Sequence, residues 1–199
     1  LVFLGGDTEL HLRNYSGLKF LEKTPWTNLE IGGNHDRLHD YFNSPIEPMF
    51  GGHVRVLAEN VYYLQRGEVY VIDGKKIFVM GGALSIDRDW RYEGMSWWPE
   101  EVPSEEDFRH AESRLDYYDW NVDIVLTHTC PLSAIDLFFF PVHPNPKYYD
   151  KTWDRLETLF LRMNPKPKSW YFGHWHRDAV RQHLGTTFYS CYREIQVIR

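Results

Sequence analysis

Residues able to bind a metal or move a proton recur in this chain just after short apolar runs. Asp7 follows Leu1-Val2-Phe3-Leu4-Gly5-Gly6, and Asn34-His35-Asp36 follows Leu29-Glu30-Ile31-Gly32-Gly33. His128 follows Ile124-Val125-Leu126-Thr127, and His174 with His176 follows Trp170-Tyr171-Phe172-Gly173. A carboxylate, an amide oxygen and imidazoles suit Mn, Fe or Zn better than Ca or Mg, which prefer all-oxygen shells. The same groups can also transfer a proton and orient the group that carries it. Alone, Gly32 to Asp36 also reads as a polar turn entering a helix with Asp36 as N-cap. Four chain segments ending this way favour a shared site. In an extended H-x-H the two side chains diverge, so His174 and His176 would face two different ions that Asp7 could bridge.

Residues so far apart in sequence meet only if their strands lie side by side and point the same way, which brings their ends to one edge. The pattern supplies such strands. Leu1–Leu4 and Asn28–Ile31 flank a helical stretch whose apolar face is Leu10, Leu18 and Leu21, closed by Pro25. This is a β-α-β unit with parallel pairing and a right-handed crossover. Arg37–Phe42 reads as a helix and Pro45–Gly52 as a loop. Three strands (61–64, 69–72 and 77–80) then form an antiparallel meander, the last two joined at Asp73-Gly74, a strong hairpin signal. Ala83–Pro103 is a long connection carrying Asp87-Arg88-Asp89-Trp90-Arg91 and Ser96-Trp97-Trp98-Pro99; loops of that length are usually functional. Ser104 with Asp107 caps a helix presenting Phe108, Ala111 and Leu115. After the strand at 122–126 come an aromatic loop at Phe138–Pro141, a helix over 151–163 and the strand at 170–172. Two final strands are expected at 186–192 and 194–198. The fold class is α/β, with two mixed sheets or one.

Bulk properties limit the partners. The 199 residues are enough for one domain with a sizeable core. A formal charge of −6 disfavours a nucleic-acid coat, though metal ions can supply local positive charge for a phosphate substrate. Two cysteines, Cys130 and Cys191, outside any C-x-x-C pair, are too few for a disulfide scaffold and fit a reduced, cytoplasmic setting. No apolar run approaches the roughly 20 residues of a membrane span. Aromatics at 17%, eight of them Trp, indicate large flat side chains packed around a pocket or interface.

Gly6-Asp7, Gly32 to Asp36, Thr127-His128 and Gly173-His174-Trp175-His176, in this order, resemble the calcineurin-like metallophosphoesterase family across nearly the whole chain. The resemblance implies a single phosphoesterase domain over 1–199, a sandwich of two mixed sheets flanked by helices. It also implies hydrolysis of a phosphomonoester or phosphodiester by a metal-bound hydroxide at a two-ion site of Mn, Fe or Zn. By position, Asp7 bridges the ions, Asn34, His128 and His174 hold one, and His176 belongs to the other. His35 stabilises the transition state or protonates the leaving group, oriented by Asp36. The tryptophan-bearing Asp87–Pro99 segment is similar to that of phage- or prophage-associated bacterial members. Two features depart from the family. Leu10 stands where an acidic residue is common, beside Glu9. The opening D-x-H, expected on a strand before Leu1, has no counterpart, so the domain reads as N-terminally incomplete and its first ion site as weak or empty. The alternative reading is therefore a phosphate- or nucleotide-binding or nucleic-acid-processing member with little turnover.

Other residues carry weaker cases. Arg88 and Arg91 could clamp a phosphate, although arginines in polar loops are more often solvated or paired. Trp97, Trp98 and Trp175 read as packing residues. His11, His39, His53, His110, His143 and His183 read as surface or satisfied polar residues, and Cys130 needs no nucleophilic role.

Overall fold

In the computed structural model, which describes residues 1–10, 15–143 and 145–198, helices cover both outer faces of two stacked β-sheets. His11 lies outside the described residues. The first sheet contains β1 (Val2–Leu4), β2 (Asn28–Glu30), β3 (Ile46–Met49), β4 (Gly52–Ala58) and β5 (Val61–Leu64), in the order β1-β2-β5-β4-β3. The second contains β6 (Val69–Ile72), β7 (Lys75–Met80), β8 (Ile124–Thr127), β9 (Ser169–Phe172), β10 (Ala179–His183) and β11 (Thr186–Ser190), in the order β10-β11-β9-β8-β7-β6. Each sheet has a parallel portion, β1-β2-β5 at one side of the first and β7-β8-β9-β11 in the middle of the second, with the remaining strands antiparallel. The α/β class and the two mixed sheets are as the sequence indicates.

Strand periodicity explains the layering. Ile77 and Val79 of β7 face the first sheet, with Ile124 and Leu126 of β8, and meet Leu29, Val54 and Leu64. Phe78, Met80 and Val125, one residue out of step, face the other way. There they pack on α3 (Glu105–Tyr117), α4 (Leu132–Phe138) and α5 (Thr152–Arg162) through Phe108, Leu115, Ile135, Leu156 and Phe160. On the far side of the first sheet, α1 (Tyr15–Glu22) and α2 (Leu38–Phe42) deliver Leu18, Leu38 and Tyr41 against Val61 and Tyr63. Ser104 and Asp107 form the expected reciprocal cap of α3. No helix among the described residues is long and apolar enough to cross a membrane.

Several elements differ from the sequence reading. The 45–52 segment is mostly strand: β3 pairs with β4 around a tight turn at Phe50 and Gly51, both left-handed. Pro48 is tolerated because β3 is an edge strand. The three strands read as a meander are split, since β5 belongs to the first sheet and β6 and β7 to the second. The stretch before the aromatic loop is the helix α4, ended by Phe139 in the left-handed region. The last two strands are β10 and β11, and 194–198 is not a strand.

Five parallel strands, β1, β2, β7, β8 and β9, bring their C-terminal ends to one edge of the stack. The loops beyond them are stitched by Gly82 N–H to the Gly32 carbonyl at 2.9 Å, His128 N–H to Met80 at 3.2 Å and Gly173 N–H to His128 at 3.0 Å. Gly81 lies against the end of β2, where a methyl group would overlap the Ile31 carbonyl. Neither backbone can yield alone. Gly81→Ala should therefore destabilise the fold by about 2–3 kcal/mol or more, measured by urea denaturation. An unchanged midpoint would show that the sheets are not held at this spacing.

Candidate active site

The site is built on a buried carboxylate beneath the loop after β2. Asp36 Oδ2 accepts the N–H groups of Asp7 at 2.8 Å and Gly33 at 2.6 Å, and Oδ1 accepts that of Glu9 at 2.6 Å. The Thr8 and Tyr41 hydroxyls lie at 3.4 Å from Oδ1. This ties the loop after β1 to the loop after β2. Below it, fully buried Glu30 accepts Gly32 N–H and the Thr8 hydroxyl, each at 2.8 Å. Asp7, with φ of 58°, and Glu9, with φ of 52°, are held left-handed by these bonds. The Asp7 side chain is thereby turned across the site, where its Oδ1 accepts His35 N–H at 2.9 Å.

Four predicted residues then converge. Asn34 Oδ1 is the hub, 2.9 Å from His128 Nε2 and 3.0 Å from His174 Nδ1, while Asp7 Oδ1 lies 3.4 Å from His128 Nε2. The other His128 nitrogen, Nδ1, is 2.8 Å from the Gly5 carbonyl and donates to it, which aims Nε2 inward. Asn34 Nδ2 donates to the Ser85 hydroxyl at 2.9 Å, which aims its oxygen inward. Glycine at 33 is required, because a Cβ there would overlap Asp7 Oδ1 and lie 2.7 Å from His128 Cε1.

The electrostatics follow from burial and this pairing. Burial would raise the Asp7 carboxyl, but the adjacent His128 ring outweighs it and holds Asp7 well below the usual carboxylate range. Burial works against a charged His128, yet Asp7 and the Gly5 carbonyl raise its pKa above the ordinary imidazole value. Burial, reinforced by the positive potential of His128, pushes His174 down to about 3. Without an ion, the His128 Nε2 and His174 Nδ1 N–H groups face Asn34 Oδ1.

The donor types, a carboxylate, an amide oxygen and two imidazoles, are those that suit a divalent transition metal, which would replace those protons. Ligands about 2.1 Å from a metal lie roughly 3.0 Å apart at octahedral and 3.4 Å apart at tetrahedral angles, and the Asn34–His128, Asn34–His174 and Asp7–His128 separations of 2.9, 3.0 and 3.4 Å are close to these values. Among the described residues, no three His, Cys, Asp or Glu side chains form a metal-holding group, so Asp7, His128 and His174 are not by themselves gathered around one point.

The remaining predicted residues fall in different places. His35 neighbours the cluster and turns its ring towards Arg91, whose Nη1 and Nη2 lie 3.1 and 3.0 Å from its Nδ1 and Nε2. Arg91 is itself anchored by Asp87 at 2.7 Å and the Ser96 carbonyl at 2.9 Å. Asp36 makes none of its hydrogen bonds to the His35 ring. The expected orienting role is corrected to a structural one, because both its oxygens are engaged by loop donors. Arg88 is turned away into an ion pair with buried Glu101 at 3.0 Å and lies over Trp97, so it does not join Arg91. His176 is exposed and stacks on Tyr192, with ring centroids 4.9 Å apart. The cause is a turn rather than an extended segment, with φ of 65° at His174 and 49° at His176. Trp175 packs against Phe140 and Trp153.

Sequence reasoning missed Glu30, Ser85 and Glu101, which look like an isolated acid in an apolar strand, a loop serine and part of an acidic run. A separate cavity of about 740 Å³, lined by residues including Phe42, His53, Arg55, Tyr63 and Arg66, contains none of the cluster.

Comparison with known proteins bears on the fold. The chain is similar in structure to a phosphopantetheinyl hydrolase from Mycobacterium tuberculosis. The TM-score is 0.57 at 15% sequence identity, over 96% of this chain and 78% of that one. No family profile and no curated protein matches the sequence. At that identity the likeness establishes the two-sheet α/β fold.

Glu30 gives the site a pH signature. Burial, with the Asp36 charge added, pushes its carboxyl well above the ordinary range. The folded state therefore keeps a proton that the unfolded chain releases near pH 4.3, or about that value. Stability contributed by this proton is complete below that pH and declines as pH rises towards the folded pKa. Glu30→Gln should remove up to about 1.4 kcal/mol per pH unit of the decline, read from urea midpoints at several pH values in EDTA. An unchanged slope would assign the decline to another group.

Proposed function

We propose that this chain is a metal-dependent phosphoester hydrolase of the calcineurin-like metallophosphoesterase type, with the whole chain forming one domain. The observation that supports the reading is that Asn34 Oδ1 contacts both His128 and His174, and Asp7 contacts His128, at the ends of parallel strands. The likeness in fold to a phosphopantetheinyl hydrolase supports it and directs the first substrate trials to phosphoesters.

In this reading Asp7, Asn34, His128 and His174 hold a divalent ion such as Mn, Fe or Zn. When bound, the ion supplies Lewis acidity to the phosphoryl group and to the attacking water. The chain's own residues do the rest. Arg91, fixed by Asp87 and the Ser96 carbonyl, presents a cation to the phosphoryl oxygens. His35, between Arg91 and the cluster, exchanges a proton with the leaving oxygen. Asp36 holds the two loops at the spacing this needs.

A second reading, a phosphate- or nucleotide-binding module with little turnover, is favoured by one observation. His176 lies on the surface against Tyr192, which leaves one four-donor centre where the resemblance implies two ions.

Hydrolysis of bis(p-nitrophenyl) phosphate with added Mn separates the two readings. Turnover abolished by EDTA and restored by Mn is expected. Metal binding without turnover would select the second reading, and absence of both would reject the first. His35→Ala should retain the ion and lower kcat by about 10²–10⁴-fold, and Arg91→Ala should act chiefly on KM. Loss of the ion in His35→Ala would make His35 structural.

A further inference from the structure

Asn34 is the hub of the donor cluster, and an amide serves that role only with its oxygen inward. Its two ends have nearly the same shape, so packing does not choose between them; hydrogen-bond polarity does. The choice can be traced outward through buried residues. Asn34 Nδ2 meets Ser85 Oγ at 2.9 Å, and Ser85 Oγ meets Glu101 Oε2 at 2.7 Å. Glu101 Oε1 accepts Ser85 N–H at 2.8 Å and Arg88 Nε–H at 3.0 Å, and the Glu101 carbonyl accepts from Arg66 Nη2 at 2.9 Å. Asn34, Ser85, Glu101 and Arg66 are each at most 5% exposed, so water is poorly placed to substitute for any member.

We propose that Ser85 and Glu101 are positioning residues that fix which end of the Asn34 amide faces the metal centre. The proposal rests on the metal-dependent reading above. The Glu101 carboxylate accepts the Ser85 O–H hydrogen bond. The hydroxyl is left with lone pairs towards Asn34, so it accepts Nδ2–H, and Oδ1 turns to His128 and His174. Glu101 occupies one end of the 83–103 connection and Ser85 the other, so the same carboxylate closes the loop that carries Arg91.

The chain of polarity can be reversed by one atom. In Glu101→Gln, two donors, Ser85 N–H and Arg88, hold the remaining oxygen at the Oε1 position. The new NH₂ then faces Ser85 Oγ, which must accept from it and donate towards Asn34. The amide turns over and presents its NH₂ to the ion. Ser85→Ala removes the acceptor and leaves the amide unguided, whereas Ser85→Thr keeps the hydroxyl.

The test is Mn affinity by calorimetry on the EDTA-treated full chain, with circular dichroism confirming the fold of each variant. Glu101→Gln and Ser85→Ala should weaken binding by about 10–100-fold, and Ser85→Thr should restore it to near the parent value. The decisive arm repeats Ser85→Ala in an Asn34→Ala background. If Ser85 acts only through the amide, the second substitution adds nothing there. A merely structural role would weaken binding by the same factor in both backgrounds, and would overturn the proposal. Parent-like affinity in folded Ser85→Ala and Glu101→Gln would overturn it as well. Should Ser85→Ala not fold, Glu101→Gln and Glu101→Gln/Asn34→Ala carry the same comparison. Failure of the parent chain to bind Mn would instead reject the metal-dependent reading itself.

Discussion

The site depends on one buried carboxylate and the backbone donors it gathers. Asp36 accepts N–H groups from Asp7, Glu9 and Gly33, drawn from two loops that follow different strands. Left-handed backbone at Asp7 and Glu9 costs roughly 1–2 kcal/mol each. Hydrogen bonds to a charged acceptor contribute about 1.5–3 kcal/mol each, so three of them outweigh the strain of two such residues. The loops are therefore held in a shape that neither would adopt alone. The predicted ligand Asp7 points inward because its own amide is pinned.

That constraint acts across the sheet stack. Asp7 and Asn34 come from the first sheet, and His128 and His174 from the second, so the cluster exists only while the sheets keep their spacing. Glycines 33 and 81 permit that spacing by leaving room for a carboxylate and a carbonyl. Ser85 and Glu101 then link Asn34 to the long loop that carries Arg91 to His35. The geometry of the donors, the placement of the loop that carries Arg91 and the packing of the two sheets form one mechanical unit.

Much of this was legible in the sequence, for physical reasons. Strand ends in a parallel arrangement must share an edge, so Asp7, Asn34, His128 and His174 were readable as neighbours from short apolar runs alone. Local chemistry with a fixed spacing was equally readable, as in the Ser104–Asp107 cap and the Asp73-Gly74 hairpin. What escaped depends on tertiary surroundings. Pro48 disguised an edge strand, because only the absence of a neighbour on one side makes proline acceptable there. Glu101 reads as a solvated acid beside Glu100, and its complete burial arises from Arg66, Arg88 and Ser85, which are remote in sequence or in an irregular loop. His176 was placed as if its H-x-H were extended, and the left-handed turn that sends it to Tyr192 has no local sequence signal.

The central claim is that four side chains from two sheets hold one divalent ion. Anomalous scattering from a crystal grown with Mn, recorded on both sides of the Mn absorption edge, addresses it without reliance on any substrate. A peak in contact with Asp7, Asn34, His128 and His174 together is the predicted result. A peak that leaves Asn34 and His174 without contact, or none at this edge of the sheets, would contradict the assignment.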